Sequence, residues 1–143
     1  MPIEVPGFGV VRPAWEPGTA TTAAGRTTIF IEPGAGFGTG LHETTRLCLA
    51  AIAGWVAAGR RLDRVLDFGS GSGILGIAAA TLGAARVDAV EIDVRVHDAI
   101  RANAARNAVA DRLAVSKAVP AGVTYDLVVA SIVASVLVTH ADR

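Results

Sequence analysis

An apolar run that stops on alternating glycines constrains this chain more than anything else in it. Val65-Leu66-Asp67-Phe68 reads as a strand, Gly69-Ser70-Gly71-Ser72-Gly73 follows without a break, and Ile74 opens an apolar helical stretch. A tight turn needs one glycine, whereas three at alternate positions imply backbone that must adopt positive φ or pass close to something else. The helix beyond the loop presents unpaired N–H groups and the positive end of its dipole to whatever lies there. A strand, glycine loop and helix in this order belong to α/β proteins with parallel sheets.

The flanking sequence continues the pattern. Leu47, Ala51, Trp55 and Ala58 recur at helical spacing, with Thr44 or a neighbour placed to cap the start and Gly59 placed to stop it. Then follow a strand over 64–68, a helix over 73–82 closed by Gly83, a strand over 86–91 and a helix over 95–107. A weaker strand covers 113–117 and a strong, largely apolar one 126–133. This alternation predicts right-handed crossovers and a parallel, doubly wound, Rossmann-like sheet. Residues 1–36 hold five of the six prolines and are expected to be a lead-in arm, mostly loop with one short strand at 27–32, while residues 37–143 form the domain proper.

Composition narrows the function classes. Thirteen basic and thirteen acidic side chains cancel, which speaks against nucleic acid or an anionic membrane as a partner. The apolar run 125–138 is shorter than the ~20 residues of a membrane span and reads as buried strand. A single cysteine, Cys48, forms no intramolecular disulfide, fits a cytoplasmic location and reads as packing.

Two acidic residues decide what the glycine loop is expected to hold. Glu91, eighteen residues beyond Gly73 at the end of the next strand, can accept from both ribose hydroxyls of a nucleoside. Asp67, at the end of the first strand, would repel a dinucleotide's pyrophosphate but favour a ligand carrying an ammonium and a sulfonium; its alternative role is a loop or helix cap. Counted from Gly69, the third glycine of a dinucleotide loop would fall on Ile74, which disfavours NAD. The expected cofactor is therefore S-adenosylmethionine. Asp93 either supports Glu91 or caps the next helix, and the capping reading is preferred. His42, just before a helix, reads as a hydrogen-bonding anchor rather than a base.

Pro33-Gly34-Ala35-Gly36-Phe37-Gly38-Thr39-Gly40-Leu41-His42-Glu43-Thr44-Thr45 together with Asp67–Leu75 resembles the PrmA methyltransferases, which modify a large-subunit ribosomal protein. Arg12-Pro13-Ala14-Trp15, Glu91-Ile92-Asp93, Asn103-Ala104-Ala105-Arg106-Asn107 and Asp126–Ala130 extend the likeness over roughly residues 10–138. The resemblance implies a class I methyltransferase that transfers a methyl group to an amino group of a protein substrate. It places cofactor contacts on Thr45, Gly69, Glu91 and Ser131, and the residues read above add Asp67, Gly71 and Gly73 to the expected cofactor site. At Ser131, the candidate catalytic position, the family leads one to expect asparagine; serine offers only a hydroxyl. A related branch methylates the electron-transfer flavoprotein β subunit, which gives an alternative substrate, and a non-catalytic S-adenosylmethionine-binding module is the alternative class. Against the family pattern the chain starts near the Arg-Pro-Ala-Trp segment and stops just past its fourth expected strand. The expectation is a divergent or truncated member with an open sheet edge, one that a second copy or another protein would cover.

Overall fold

The computed structural model describes residues 2–32, 43–132 and 135–139. Two sheets share one apolar core. The first is four-stranded, in the order β1-β2-β4-β3, from β1 (Ile3–Val5), β2 (Gly9–Pro13), β3 (Thr21–Ala23) and β4 (Arg26–Ile31). The second runs β7-β6-β5-β8-β9, from β5 (Arg64–Phe68), β6 (Arg86–Val90), β7 (Leu113–Ser116), β8 (Leu127–Ile132) and β9 (Ser135–Thr139). Strands β7, β6, β5 and β8 are parallel, as the strand-helix alternation predicts, and only β9 is antiparallel.

Three helices pack on this frame: α1 (Glu43–Ala57), α2 (Ile74–Thr81) and α3 (His97–Arg106). Strand residues alternate between faces. Val65, Val87, Leu127 and Val129 point into the same core as Leu49 and Ile52 of α1 and Ile77 of α2. Their neighbours Leu66 and Val90 point the other way and pack with Tyr125, Val123 and Val128, a cluster with no helical member among the described residues. Tyr125 also donates its hydroxyl to the buried Asp88 carboxylate at 2.7 Å, with Arg64 and Arg86 each at 3.6 Å from it.

The structure corrects four expectations. Over its described residues, 2–32, the arm is not mostly loop: three strands accompany the one expected, and Val5, Phe8, Val11, Ile29 and Ile31 belong to the main core. Pro6, Gly7, Pro17, Gly18 and Gly25 fall at the turns between the strands, and β1 and β3, at three residues each, are too brief to show a period. The buried face of α1 is Cys48, Leu49 and Ile52, and Leu47 is 57% exposed; the apolar spacing through Leu47 and Ala51 follows a stripe about one position off. Because α1 already includes Glu43, neither Thr44 nor Thr45 precedes the helix as a cap. Finally, the apolar run 125–138 is two strands. Strand β9 returns along β8, pairing Ile132 with Ser135 and Val128 with Thr139, so the edge of the described sheet lies at β9 rather than at β8.

Side chains of α3 finish a different edge. Beyond the last β3–β4 pair, Thr21 with Thr28, the outward edge of β4 has no strand against it among the described residues. There the Phe30 N–H donates to Asn107 Oδ1 at 2.8 Å and Asn107 Nδ2 donates to the Phe30 carbonyl at 2.6 Å, while the Glu32 N–H donates to Asn103 Oδ1 at 2.9 Å. A carboxamide carries the same donor and acceptor as a peptide group, so two buried asparagines one turn apart stand in for a strand. Arg106 adds bonds to the carbonyls of Ala14 and Glu16 and lies 4.0 Å over the Phe30 ring.

Candidate active site

The candidate site lies where β5 and β6 end. All three loop glycines are left-handed, with φ +75° at Gly69, +59° at Gly71 and +84° at Gly73. Other residues adopt this region only at a cost of about 1 kcal/mol or more, which is why the sequence needs glycine three times. Gly73 is constrained twice, since a Cβ there would come within 2.9 Å of Ile100 Cγ2 on α3. At Gly71 a Cβ would meet nothing within 4 Å, so this part of the loop opens outward. The N–H groups of Gly69 and Ser70 both donate to the Val90 carbonyl, which ties the loop to the end of β6.

Glu91 closes the site from the other side. Its Oε1 accepts the Gly71 N–H at 2.9 Å and its Oε2 the Asp93 N–H at 3.0 Å. His97 Nε2 bonds its carbonyl at 2.7 Å, which fixes the main chain as well. Asp93 accepts from the Arg95 N–H and holds the Arg95 guanidinium, so it caps the short 3-10 turn Val94–Val96 that leads into α3; this is the capping reading. That pairing keeps the Asp93 carboxyl below its ordinary pKa.

Asp67 sits beneath the loop rather than at its surface. The carboxylate is buried, its Oδ2 accepts the Gly76 N–H of α2 at 3.0 Å, and its Oδ1 has no hydrogen-bond partner among the described residues. Burial pushes its pKa up to about 6; the Gly76 bond works against the rise and nearby Glu91 with it. The alternative role of Asp67 as a cap for the loop and helix is therefore present. Burial first and the Asp67 charge second push the Cys48 thiol up to about 11, which makes it a packing residue and not a nucleophile near neutrality.

Thr45 stands in the first turn of α1. The register of β8 carries Ser131 one residue past the Phe68–Ala130 pair, alongside the start of the glycine loop. His42 and the Pro-Gly-rich stretch 33–42 lie outside the described residues. Apolar side chains missed by the sequence reading stand exposed at the same edge: Phe68 ends β5, and Ile92, 84% exposed, follows Glu91. Their signal was available, because each directly adjoins a residue already singled out.

Residues 1–143 match the family described as ribosomal protein L11 methyltransferase (PrmA). The chain belongs to that family. Among curated members, the ribosomal protein L11 methyltransferase of Trichlorobacter lovleyi is 44% identical over 137 residues, covering 92% of this chain and 44% of that protein. The one from Symbiobacterium thermophilum is 47% identical over 131 residues, covering 90% and 41%. The crystal structure of the ribosomal protein L11 methylase from Lactobacillus delbrueckii subsp. bulgaricus superposes with a TM-score of 0.72 at 32% identity, covering 92% of this chain and 66% of that one. This confirms the Rossmann-like fold, and the chain spans about two-fifths of the length of these curated relatives. No described helix is long and apolar enough to cross a membrane.

Proposed function

We propose that this chain carries the S-adenosylmethionine-binding half of a protein N-methyltransferase whose substrate resembles a ribosomal protein. One observation carries the reading: Glu91 is held across the open face of the glycine loop with each carboxylate oxygen accepting a single backbone N–H. Each oxygen keeps a further acceptor site, which suits the two hydroxyls of a ribose. Exposed Ile92 next to it offers an apolar face for a purine, and the left-handed glycines leave room for the rest of the ligand.

In this reading Gly69, Gly71 and Gly73 let the ligand approach the backbone, and Thr45 borders the site from α1. Asp67 supports it from beneath, favouring positive charge above the loop. S-adenosylmethionine, when bound, supplies the activated methyl group. The protein's residues hold and orient it so that an amine can approach in line, a contribution of proximity rather than of acid-base chemistry. Ser131, at the end of β8, occupies the acceptor side. Residues 37–143 carry the site, and β1, β2 and β4 of the preceding segment support it through the shared core.

Paired calorimetric titrations with S-adenosylmethionine and NADH test the cofactor, and transfer of a labelled methyl group to ribosomal proteins tests the reaction. Binding of S-adenosylmethionine that Glu91→Ala weakens by tenfold or more supports the proposal; NADH binding instead, or unchanged affinity in the variant, overturns it. Binding without any labelled product would leave the cofactor assignment standing and sink the catalytic one.

A further inference from the structure

Asn103 joins two parts of the molecule that its neighbour Asn107 does not. Both asparagines are buried on the face of α3 that meets β4, and both complete the β4 edge. Asn107 spends its amide donor on the Phe30 and Asn103 carbonyls. Asn103 turns its own toward the glycine loop, donating to the Ser72 carbonyl at 2.9 Å and more weakly to the Glu32 carbonyl at 3.5 Å. One side chain thus holds the Ser72–Gly73 peptide and the end of β4 together. Ile100, one turn earlier, backs the same place by packing under Gly73.

The consequence concerns the middle of the loop. Gly69 and Ser70 are fixed by β6, and Gly76 is fixed by Asp67. Between them the Gly71-Ser72-Gly73 segment is glycine-rich backbone, restrained by the Gly71–Glu91 bond, the Gly73–Ser70 bond, the Ile77 N–H on the Gly73 carbonyl and the Asn103–Ser72 bond. A ligand's hydroxyls would use the remaining acceptor sites of Glu91 and leave the Gly71 bond in place, and the Asn103 restraint holds the next peptide independently of them. We propose that Asn103 is a positioning residue that keeps the glycine loop in its binding shape by tethering the Ser72 carbonyl to the α3–β4 frame. This rests on the reading of the loop as a cofactor site, but the tether itself can be tested without any ligand.

Asn103→Asp keeps the acceptor for the Glu32 N–H and replaces the donor with an oxygen facing the Ser72 carbonyl. Asn103→Ala removes both bonds without adding charge and serves if the aspartate variant does not fold. Asn107→Asp is the control, equally buried but not bonded to the loop. Amide hydrogen exchange over residues 69–73 in the ligand-free protein is expected to accelerate about fivefold in the Asn103 variants and not in Asn107→Asp, as the loss of one neutral hydrogen bond dictates. S-adenosylhomocysteine affinity should fall by a similar factor in the same variants only. Loop exchange that is unchanged, or that rises equally in the Asn107 control, overturns the proposal. If the unmodified protein does not bind S-adenosylhomocysteine, the cofactor reading fails while the exchange measurement still decides the tether.

Discussion

Asp67→Asn should remove a pH dependence that the wild-type chain cannot avoid. The Asp67 carboxyl is buried, shares one hydrogen bond with Gly76 and has a pKa of about 6 in place of the ordinary 3.8. The folded chain therefore holds this proton more tightly than the unfolded chain does. Stability from this group is fully present below about pH 4 and is lost as pH rises through about 6. At about 1.4 kcal/mol for each pH decade the loss comes to about 3 kcal/mol, of the order of a third of a small domain's stability. Asparagine can keep the oxygen that accepts from Gly76 and cannot ionise. Its amide nitrogen would then occupy the place of the unpartnered Oδ1, at a cost of about 1–3 kcal/mol that does not vary with pH. Urea unfolding followed by circular dichroism between pH 4 and 8 separates the two contributions. The wild type should lose stability relative to the variant across pH 4–6, and the difference should level off above pH 7. Parallel curves over the whole range would refute the assignment of a raised carboxyl pKa to this site.

Two further predictions concern the loop and the second face of the sheet. Gly73→Ala should cost more stability than Gly71→Ala, by about 1–3 kcal/mol, because both lose a left-handed glycine but only Gly73 meets Ile100 at 2.9 Å; thermal unfolding of the two variants compares them. Tyr125→Phe should destabilise by about 1–3 kcal/mol through the buried Asp88 carboxylate it leaves short of a donor, read by chemical denaturation at pH 7, and Tyr125→Phe combined with Asp88→Leu should cost less than the two singly summed.

Much of the parallel sheet was legible because its strands alternate with helices, β5 ends just before Gly69 and α2 is bracketed by Gly73 and Gly83. The sequence marks of the loop were legible for the same reason, since three alternate glycines have few other uses. The first sheet was hidden because its strands of three to six residues are separated by turns rich in the residues that also mark loops. The face of α1 was misjudged because its alanines and leucines run nearly all round the helix, leaving no polar stripe to set the phase. The role of Asn103 needed three dimensions: it joins Ser72 and Glu32, thirty-one and seventy-one residues away, and nothing local announces either partner. The inward turn of Asp67 is likewise a packing outcome, though capping was one of the two roles open to a carboxylate at a strand end.

The asparagine pair on α3 also sets a limit on what this region tolerates. Successive helical positions differ by about 100°, so a one-residue insertion or deletion between Asn103 and Asn107 would swing one carboxamide off the β4 edge while leaving the other in place. The bared Phe30 or Glu32 peptide would then offer an unpaired donor and acceptor to any passing strand. Point substitutions on the exposed side of α3 leave that arrangement alone, whereas a change in its length converts a sealed margin of the molecule into an adhesive one.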